Sequence, residues 1–250
     1  MSTTLAGAPG ACCWTGVKHS GTPVGQVEEI GGLNTYVSEP PAPTKNVILF
    51  LADVYGPFFI NNKLLQDYFA SCGFLVLGPD YFFGDSVPNN VPDDERNAWI
   101  AAARAPAIAA FPKWVEAVKA RYGTAGTKYC AVGYCFGASF TIELAATDVV
   151  EAAALAHPAN LEESHFENLK KPLLLSCPEY DFTFPTESRR RAEDIMVARK
   201  CRYYFQVFSG VKHGFAVRGN PDVPHERWAK EESARGIKEW FTWFTQSGPA

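Results

Sequence analysis

A cysteine bracketed by glycines, between an apolar strand and a helix, constrains this chain more than any other feature. Residues 133–137 read Gly-Tyr-Cys-Phe-Gly, the Gly-x-nucleophile-x-Gly pattern with Cys135 in the nucleophile's place. Lys128–Val132 predicts a short buried strand before it, and Ala138–Ala146 predicts a helix after it. The sulfur would then sit at a helix N-terminus, where free N–H groups and the dipole favour a thiolate. A buried core cysteine after a strand is the alternative interpretation.

The composition limits the classes of protein that this chain can belong to. Its 250 residues suit one α/β domain, and 47% hydrophobic residues are enough for a large core. The net charge is −4 and the longest basic run is Arg189–Arg191, so we expect no nucleic-acid partner. No apolar stretch is long enough to span a bilayer, and the first residues lack the pattern of a secretory leader. We therefore expect a cytoplasmic protein without membrane contact.

The cysteines do not suggest a disulfide framework or a metal site. Seven is an odd number, and the chain has no Cys-x-x-Cys motif and no paired Cys/His spacing, so we expect no zinc. Cys72, Cys130 and Cys177 lie within or beside apolar runs and are expected in the core. Cys12 and Cys13 are adjacent, and the sequence assigns them no role.

Short apolar strands alternate with helical patterns along most of the chain, which predicts an α/β fold with a mostly parallel central sheet and helices on both faces. We expect residues 1–20 to form a flexible segment and residues 21–250 a single domain. The predicted strands are a hairpin of Gln26–Ile30 and Leu33–Ser38, then Asn46–Ala52, Phe74–Gly78, Lys128–Val132, Ala152–Ala156, Pro172–Cys177 and Tyr203–Phe208. The predicted helices are Asn62–Cys72, Asp93–Ala103, Pro106–Tyr122, Ala138–Ala146, Thr186–Lys200 and His225–Gln246.

Residues able to do chemistry follow several of these strands, where sites form in parallel sheets. Cys135, Asp181 and His213 come in the order nucleophile, acid and base, separated by 46 and 32 residues. His213 can accept a thiol proton near neutral pH, and Asp181 would fix its tautomer. The backbone N–H groups of Phe136 and Val54 would hold a developing oxyanion.

Other residues compete for these roles. His213 in a surface loop is the alternative to a catalytic base. His157 also follows a strand, but it precedes Asp181 in the chain, which breaks the order of a triad. Glu179 lies two residues before Asp181, and we favour Asp181 as the acid. Asp53 ends an apolar strand beside the proposed oxyanion donor, where it either forms a turn or acts on the thiol.

Together these segments resemble the dienelactone hydrolase family, α/β-hydrolases with a Cys-His-Asp triad, and in particular its fungal-type members. The resemblance covers residues 21 to 250. It implies an α/β-hydrolase fold and hydrolysis of a lactone or ester through a covalent acyl-cysteine, with no metal and no organic cofactor. The segments that carry it are Val24–Ser38, Asp53–Gly56, Gly133–Gly137, Glu179–Pro185 and His213–Gly219.

The resemblance also implies residues around the nucleophile. In the well-studied bacterial branch, a glutamate near the nucleophile helps to activate the thiol, and this chain has the shorter Asp53 there. That branch holds the substrate carboxylate with two arginines. One of them resembles Arg218, displaced by one residue, and the place of the other, Asp80–Phe83, holds aromatic residues and no arginine. We therefore expect a larger or less polar substrate. The expected contact residues are Tyr55, Phe58, Tyr81, Phe83 and Arg218.

The sequence thus predicts a hydrolase whose partner is a small-molecule carboxylic ester or lactone. One alternative is a thioesterase or acyltransferase that uses the same triad and intermediate. The other is a catalytically idle protein of hydrolase fold that binds a small ligand. The natural substrate, and the choice between a monomer and a homodimer, stay open at this point.

Overall fold

The computed structural model describes residues 2–10, 17–88 and 92–246, so Cys12 and Cys13 lie outside the described residues. The strands are β1 (Thr4–Ala6), β2 (Gln26–Ile30), β3 (Leu33–Ser38), β4 (Asn46–Leu51), β5 (Leu75–Pro79), β6 (Lys128–Tyr134), β7 (Ala152–Ala156), β8 (Leu161–Glu162), β9 (Leu173–Tyr180) and β10 (Tyr203–Lys212). Eight of them form one sheet in the order β10-β9-β7-β6-β4-β5-β3-β2. Pairing is parallel from β10 to β5 and antiparallel for β3 and β2, which confirms the predicted mostly parallel sheet.

The predicted hairpin forms the antiparallel edge of this sheet. Ile30 pairs with Leu33 across the turn at Gly31 and Gly32, whose φ angles are 60° and 90°. Successive residues with positive φ are strained for any side chain but allowed for glycine, so these two residues fix the register of β2 and β3.

Helices cover both faces of the sheet, as predicted. They are α1 (Ile60–Ser71), α2 (Asp93–Tyr122), α3 (Ala138–Ala145), α4 (Glu163–Glu167), α5 (Thr186–Ala198), α6 (Phe215–Arg218) and α7 (Pro224–Gln246). Alternate side chains of β4 point to opposite layers, so that Phe50 packs with Phe69 of α1 and Phe241 of α7, whereas Leu49 packs with Trp114 of α2. Among the described helices, none is both long enough and apolar enough to cross a bilayer.

The long helix α2 corrects one prediction. We expected a break before Pro106, but the structure has a continuous helix from Asp93 to Tyr122 with Pro106 and Pro112 inside it. A proline removes one backbone hydrogen bond and favours a break. Here the apolar residues on both sides of Pro106 bury against the same core, including Ile100, Phe111 and Trp114. Packing along the whole length therefore outweighs the local preference.

The N-terminal segment contains an element that the sequence pattern did not predict. Strand β1 pairs with β8, and Leu5 and Ala6 are buried there. The next residue, Gly7, donates its N–H to the Thr183 carbonyl oxygen at 2.7 Å and accepts from the Asn160 N–H at 2.8 Å. These contacts join the N-terminal segment to two loops at the carboxyl edge of the sheet.

Candidate active site

Cys135 lies on a tight turn between β6 and α3. Its φ angle is +48°, a left-handed conformation that costs a non-glycine residue of order 1–3 kcal/mol and that recurs at functional sites. A Cβ atom at Gly133 would lie 2.3 Å from Thr141 Oγ1, and one at Gly137 would lie 2.1 Å from the Leu51 carbonyl oxygen. The two glycines are therefore required by close packing, and the turn has the geometry that the motif predicts. The Cys135 side chain is fully buried, at 0% exposure.

Asp181 and His213 meet at the ends of the neighbouring parallel strands β9 and β10. The distance from His213 Nδ1 to Asp181 Oδ1 is 2.9 Å, and both side chains are buried. Since a carboxylate only accepts, Nδ1 donates the hydrogen bond, which leaves Nε2 of a neutral imidazole to accept a proton. The competing Glu179 is exposed and accepts a hydrogen bond from the Gly210 N–H, at 2.7 Å. Of the two candidate acids, Asp181 is thus the one that contacts His213.

The two proposed oxyanion donors lie on adjacent segments. Leu51, at the end of β4, is in register with Gly133 of β6, so the loop after β4 lies beside the nucleophile turn. Val54 belongs to that loop and Phe136 to the turn, and both are fully buried. The sheet register therefore brings the predicted pair of N–H groups to the same edge.

Asp53 and Arg218 form a buried ion pair in which Nη1 donates to Oδ2. Asp53 Oδ1 also accepts from Asn62 Nδ2 at 2.9 Å and from the Tyr55 N–H at 3.2 Å. The guanidinium carbon of Arg218 lies 5.2 Å from the centre of the Tyr55 ring. The residues predicted to activate the thiol and to hold the substrate thus neutralise each other in this structure.

The structure brings together some of the predicted substrate contacts and separates others. Tyr55 and Phe58 line one cavity of about 250 Å³. Tyr81 is fully buried and donates its hydroxyl to the Ala52 carbonyl oxygen, whereas Phe83 is 59% exposed, and neither lines this cavity. Burial is the main cause of the raised pKa of Tyr81, and electrostatic interaction with Asp53 adds to it. The Tyr81 phenol therefore stays protonated.

Known proteins resemble this chain over most of its length. A model described as "Dienelactone hydrolase family" matches residues 33–245. The chain is 40% identical over 247 residues to "Dienlactone hydrolase 1" of Gibberella moniliformis, with 95% of this chain and 94% of the relative covered. The chain belongs to the dienelactone hydrolase family.

Other comparisons agree with this family assignment. "Dienlactone hydrolase 2" of Gibberella moniliformis is 34% identical over 256 residues, covering 98% of this chain and 99% of the relative. A structure described as a dienelactone hydrolase of Klebsiella pneumoniae has a TM-score of 0.74 at 16% identity, over 89% of this chain and 99% of that one. The α/β-hydrolase fold and the predicted class of enzyme, a hydrolase of ester or lactone bonds, are confirmed for this dienelactone hydrolase family member.

Sequence reasoning missed that His157 contacts the predicted base. The planes of the two imidazole rings are inclined at 68°, and their centroids are 4.9 Å apart. His157 is fully buried and has a φ angle of +38°, so this dienelactone hydrolase family member has a second strained residue beside the site. The order of the triad residues along the chain argued against His157 as the base, but it gave no information about the packing of His157 against His213.

Sequence reasoning also missed Thr183. Its hydroxyl oxygen is 2.6 Å from Asp181 Oδ1, 3.0 Å from His213 Nδ1 and 2.9 Å from the Pro158 carbonyl oxygen. The Thr183 N–H also donates to Asp181 Oδ1, at 3.0 Å. An aspartate that accepts from the residue two positions on is a common turn, so the spacing was a usable signal. Thr183 therefore holds Asp181 and His213 in one arrangement.

Replacing Thr183 with valine keeps the shape and removes one charge-assisted hydrogen bond from Asp181. We expect kcat/KM for an activated ester to fall about ten-fold, since such a bond is worth roughly 1.5 kcal/mol or more. A carboxylate with one donor fewer stabilises the imidazolium more strongly, so the acidic limb of the kcat/KM profile should move to higher pH. Thr183→Ser, which keeps the hydroxyl, is the control and should behave as the native protein. If the valine variant has native kinetics and a native pH profile, Thr183 only fills space.

Proposed function

We propose that this chain hydrolyses a carboxylic ester or lactone through a covalent acyl-cysteine, with Cys135 as the nucleophile. The buried 2.9 Å hydrogen bond between His213 and Asp181 is the observation that carries the proposal. It lies at the same edge of the sheet as a cysteine on a strained turn, and the three residues follow the chain order of an α/β-hydrolase triad.

The first half of the reaction forms the acyl-enzyme. His213 Nε2 takes the thiol proton, and the sulfur of Cys135 attacks the carbonyl carbon to form a C–S bond. The backbone N–H groups of Val54 and Phe136 hold the resulting oxyanion. When it collapses, the C–O bond breaks, and the leaving alkoxide takes the proton from His213. With a lactone, that alkoxide stays attached to the acyl group.

Water completes the reaction. His213 removes a proton from the water molecule, whose oxygen attacks the thioester carbonyl, and the C–S bond breaks to release a carboxylic acid. The Cys135 sulfur regains its proton from the imidazolium. Throughout both halves, Asp181 fixes the Nδ1–H tautomer and stabilises the imidazolium.

We assign the ion pair of Asp53 and Arg218 to thiol activation and substrate binding. A substrate carboxylate that bonds Arg218 would weaken its hold on Asp53, and the charge of Asp53 would then favour transfer of the thiol proton. Tyr55, whose ring lies beside the Arg218 guanidinium, and Phe58 would contact the acyl or lactone group. Contacts from Tyr81 and Phe83 and a cytoplasmic location remain predictions, and the choice between a monomer and a homodimer stays open.

Intact-mass spectrometry after mixing with 4-nitrophenyl acetate tests the proposal. We expect a transient mass increase of one acetyl group on the native protein and none on Cys135→Ala, because the adduct is the thioester of Cys135. Cys201→Ala, which removes a partly exposed thiol, is the matched control and should acylate like the native protein.

The same experiment separates the alternatives. An adduct that persists on Cys135→Ala would refute the nucleophile assignment. Binding of the ester with neither an adduct nor turnover would indicate an idle ligand-binding protein. An adduct that is discharged by an added thiol or alcohol much faster than by water would indicate an acyltransferase.

A further inference from the structure

A second cavity, of about 610 Å³, lies between helices α1 and α7 and the segment before β2. None of its lining residues belongs to the candidate active site, and its size is in the range of small-molecule sites. Its wall on α1 is formed mainly by Leu64, Leu65 and Tyr68. The facing wall on α7 carries mostly charged side chains.

The charges on the α7 wall are not balanced. Arg235 bonds Glu232, with Nη2 to Oε2 at 2.6 Å, so these two neutralise each other. Arg227 and Lys230 also line the cavity and form no ion pair within the described part of the chain. One further carboxylate, that of Glu231, lines the cavity with them. A single negative charge from a ligand would therefore make the cavity neutral.

Lys230 is the cation most affected by this arrangement. Burial lowers the pKa of its ammonium group, and the nearby Glu231 offsets only part of that effect. Burial also lowers the pKa of His19 on the facing segment, where the hydrogen bond to Gly219 acts against it and the charge of Lys230 adds to it. Lys230 is thus a partly buried cation whose negative neighbour, Glu231, only partly compensates for the loss of water, which is unfavourable for its charged form.

We propose that this cavity binds an organic anion that has one carboxylate and an apolar body. The carboxylate would lie against Lys230 and Arg227, which together supply donors for both of its oxygens. The apolar body would lie against Leu64 and Leu65. The site is independent of Cys135 and of the proposed hydrolysis.

Calorimetric titration of the full chain with 4-phenylbutyrate tests this proposal, with 4-phenylbutanol as the uncharged probe. We expect the acid to bind the native protein and Lys230→Met to weaken that binding at least about ten-fold, a change of about 1.4 kcal/mol. Lys238→Met is the matched control on the same helix. Lys238 is paired with Glu239 and does not line the cavity, so its replacement should leave affinity unchanged. The alcohol should bind weakly and equally to all three proteins.

Two further measurements locate the ligand. The pKa of His19, followed by NMR, should rise when 4-phenylbutyrate is bound, because the added negative charge stabilises the imidazolium. Leu64→Trp, which fills the apolar side, should weaken binding of the acid while hydrolysis of 4-nitrophenyl acetate stays native. The proposal would be overturned if millimolar 4-phenylbutyrate did not bind the native protein, or if it bound the native and Lys230→Met proteins equally. If these variants hydrolyse 4-nitrophenyl acetate at the native rate, failure of the anion-binding proposal is distinguished from failure of the proposed function.

Discussion

Replacing His213 with alanine will lower kcat for 4-nitrophenyl acetate by roughly three orders of magnitude or more, as removal of a triad member generally does. The reason is that the alanine variant has no group to take the thiol proton, and Asp181 is left without the imidazole that it orients. Steady-state kinetics measure the loss, and circular dichroism checks that the fold is intact. His225→Ala is the matched control, because His225 bonds the Ser209 carbonyl oxygen and lies outside the triad.

His157 cannot serve as that control, since its ring packs against His213. A loss of activity in His157→Ala could come from displacement of the His213 ring, and would not show that His157 takes part in the chemistry. If His213→Ala kept more than a tenth of the native rate, or if His225→Ala lost as much, the assignment of the base would be wrong.

Asp53→Asn will destabilise the protein by roughly 3 kcal/mol, the lower end of the cost of breaking a buried ion pair from one side. The neutral amide leaves the Arg218 guanidinium buried without the carboxylate that it bonds. For a domain of this size, the melting temperature should fall by roughly 6–12 °C. We also expect a lower kcat/KM, because the charge assigned to thiol activation is gone. Thermal unfolding and ester kinetics measure the two effects.

A double-mutant cycle separates the ion pair from other effects of the substitution. Arg218→Gln alone should destabilise in the same way, because it leaves the Asp53 carboxylate buried without its opposite charge. The double variant should be more stable than the sum of the single losses predicts, since neither charge is then buried alone. Additive losses would show that the two side chains do not stabilise each other, and an unchanged kcat/KM would remove Asp53 from the mechanism.

The parts of the fold that could be predicted are those that depend on local pattern. Residues 47–51 form a continuous apolar run because a central strand of a parallel sheet is buried on both faces. Gly31 and Gly32 mark the hairpin because their φ angles are positive. The meeting of the candidate residues that follow β9 and β10 could be predicted because the carboxyl ends of parallel strands lie at one edge of the sheet.

The parts that could not be predicted depend on distant contacts. Asp53 and Arg218 are 165 residues apart, and no local pattern shows that their side chains meet. Local sequence patterns predict a helix break at Pro106. Only the burial of α2 on both sides of Pro106 explains why the helix is continuous. The packing of His157 against His213 follows from the pairing of β7, β9 and β10, which the sequence leaves open.

Complete burial of the Cys135 sulfur has a consequence for how the protein survives between reactions. A thiolate that is nucleophilic enough to open an ester is also a target for peroxides and electrophiles. With the sulfur enclosed, such reagents reach it only when the surrounding structure opens locally. The rate of inactivation by a saturating small alkylating reagent is then limited by the frequency of opening rather than by thiol chemistry. If Cys135 acts as proposed, the local opening that admits a reagent therefore sets the chemical lifetime of its thiol.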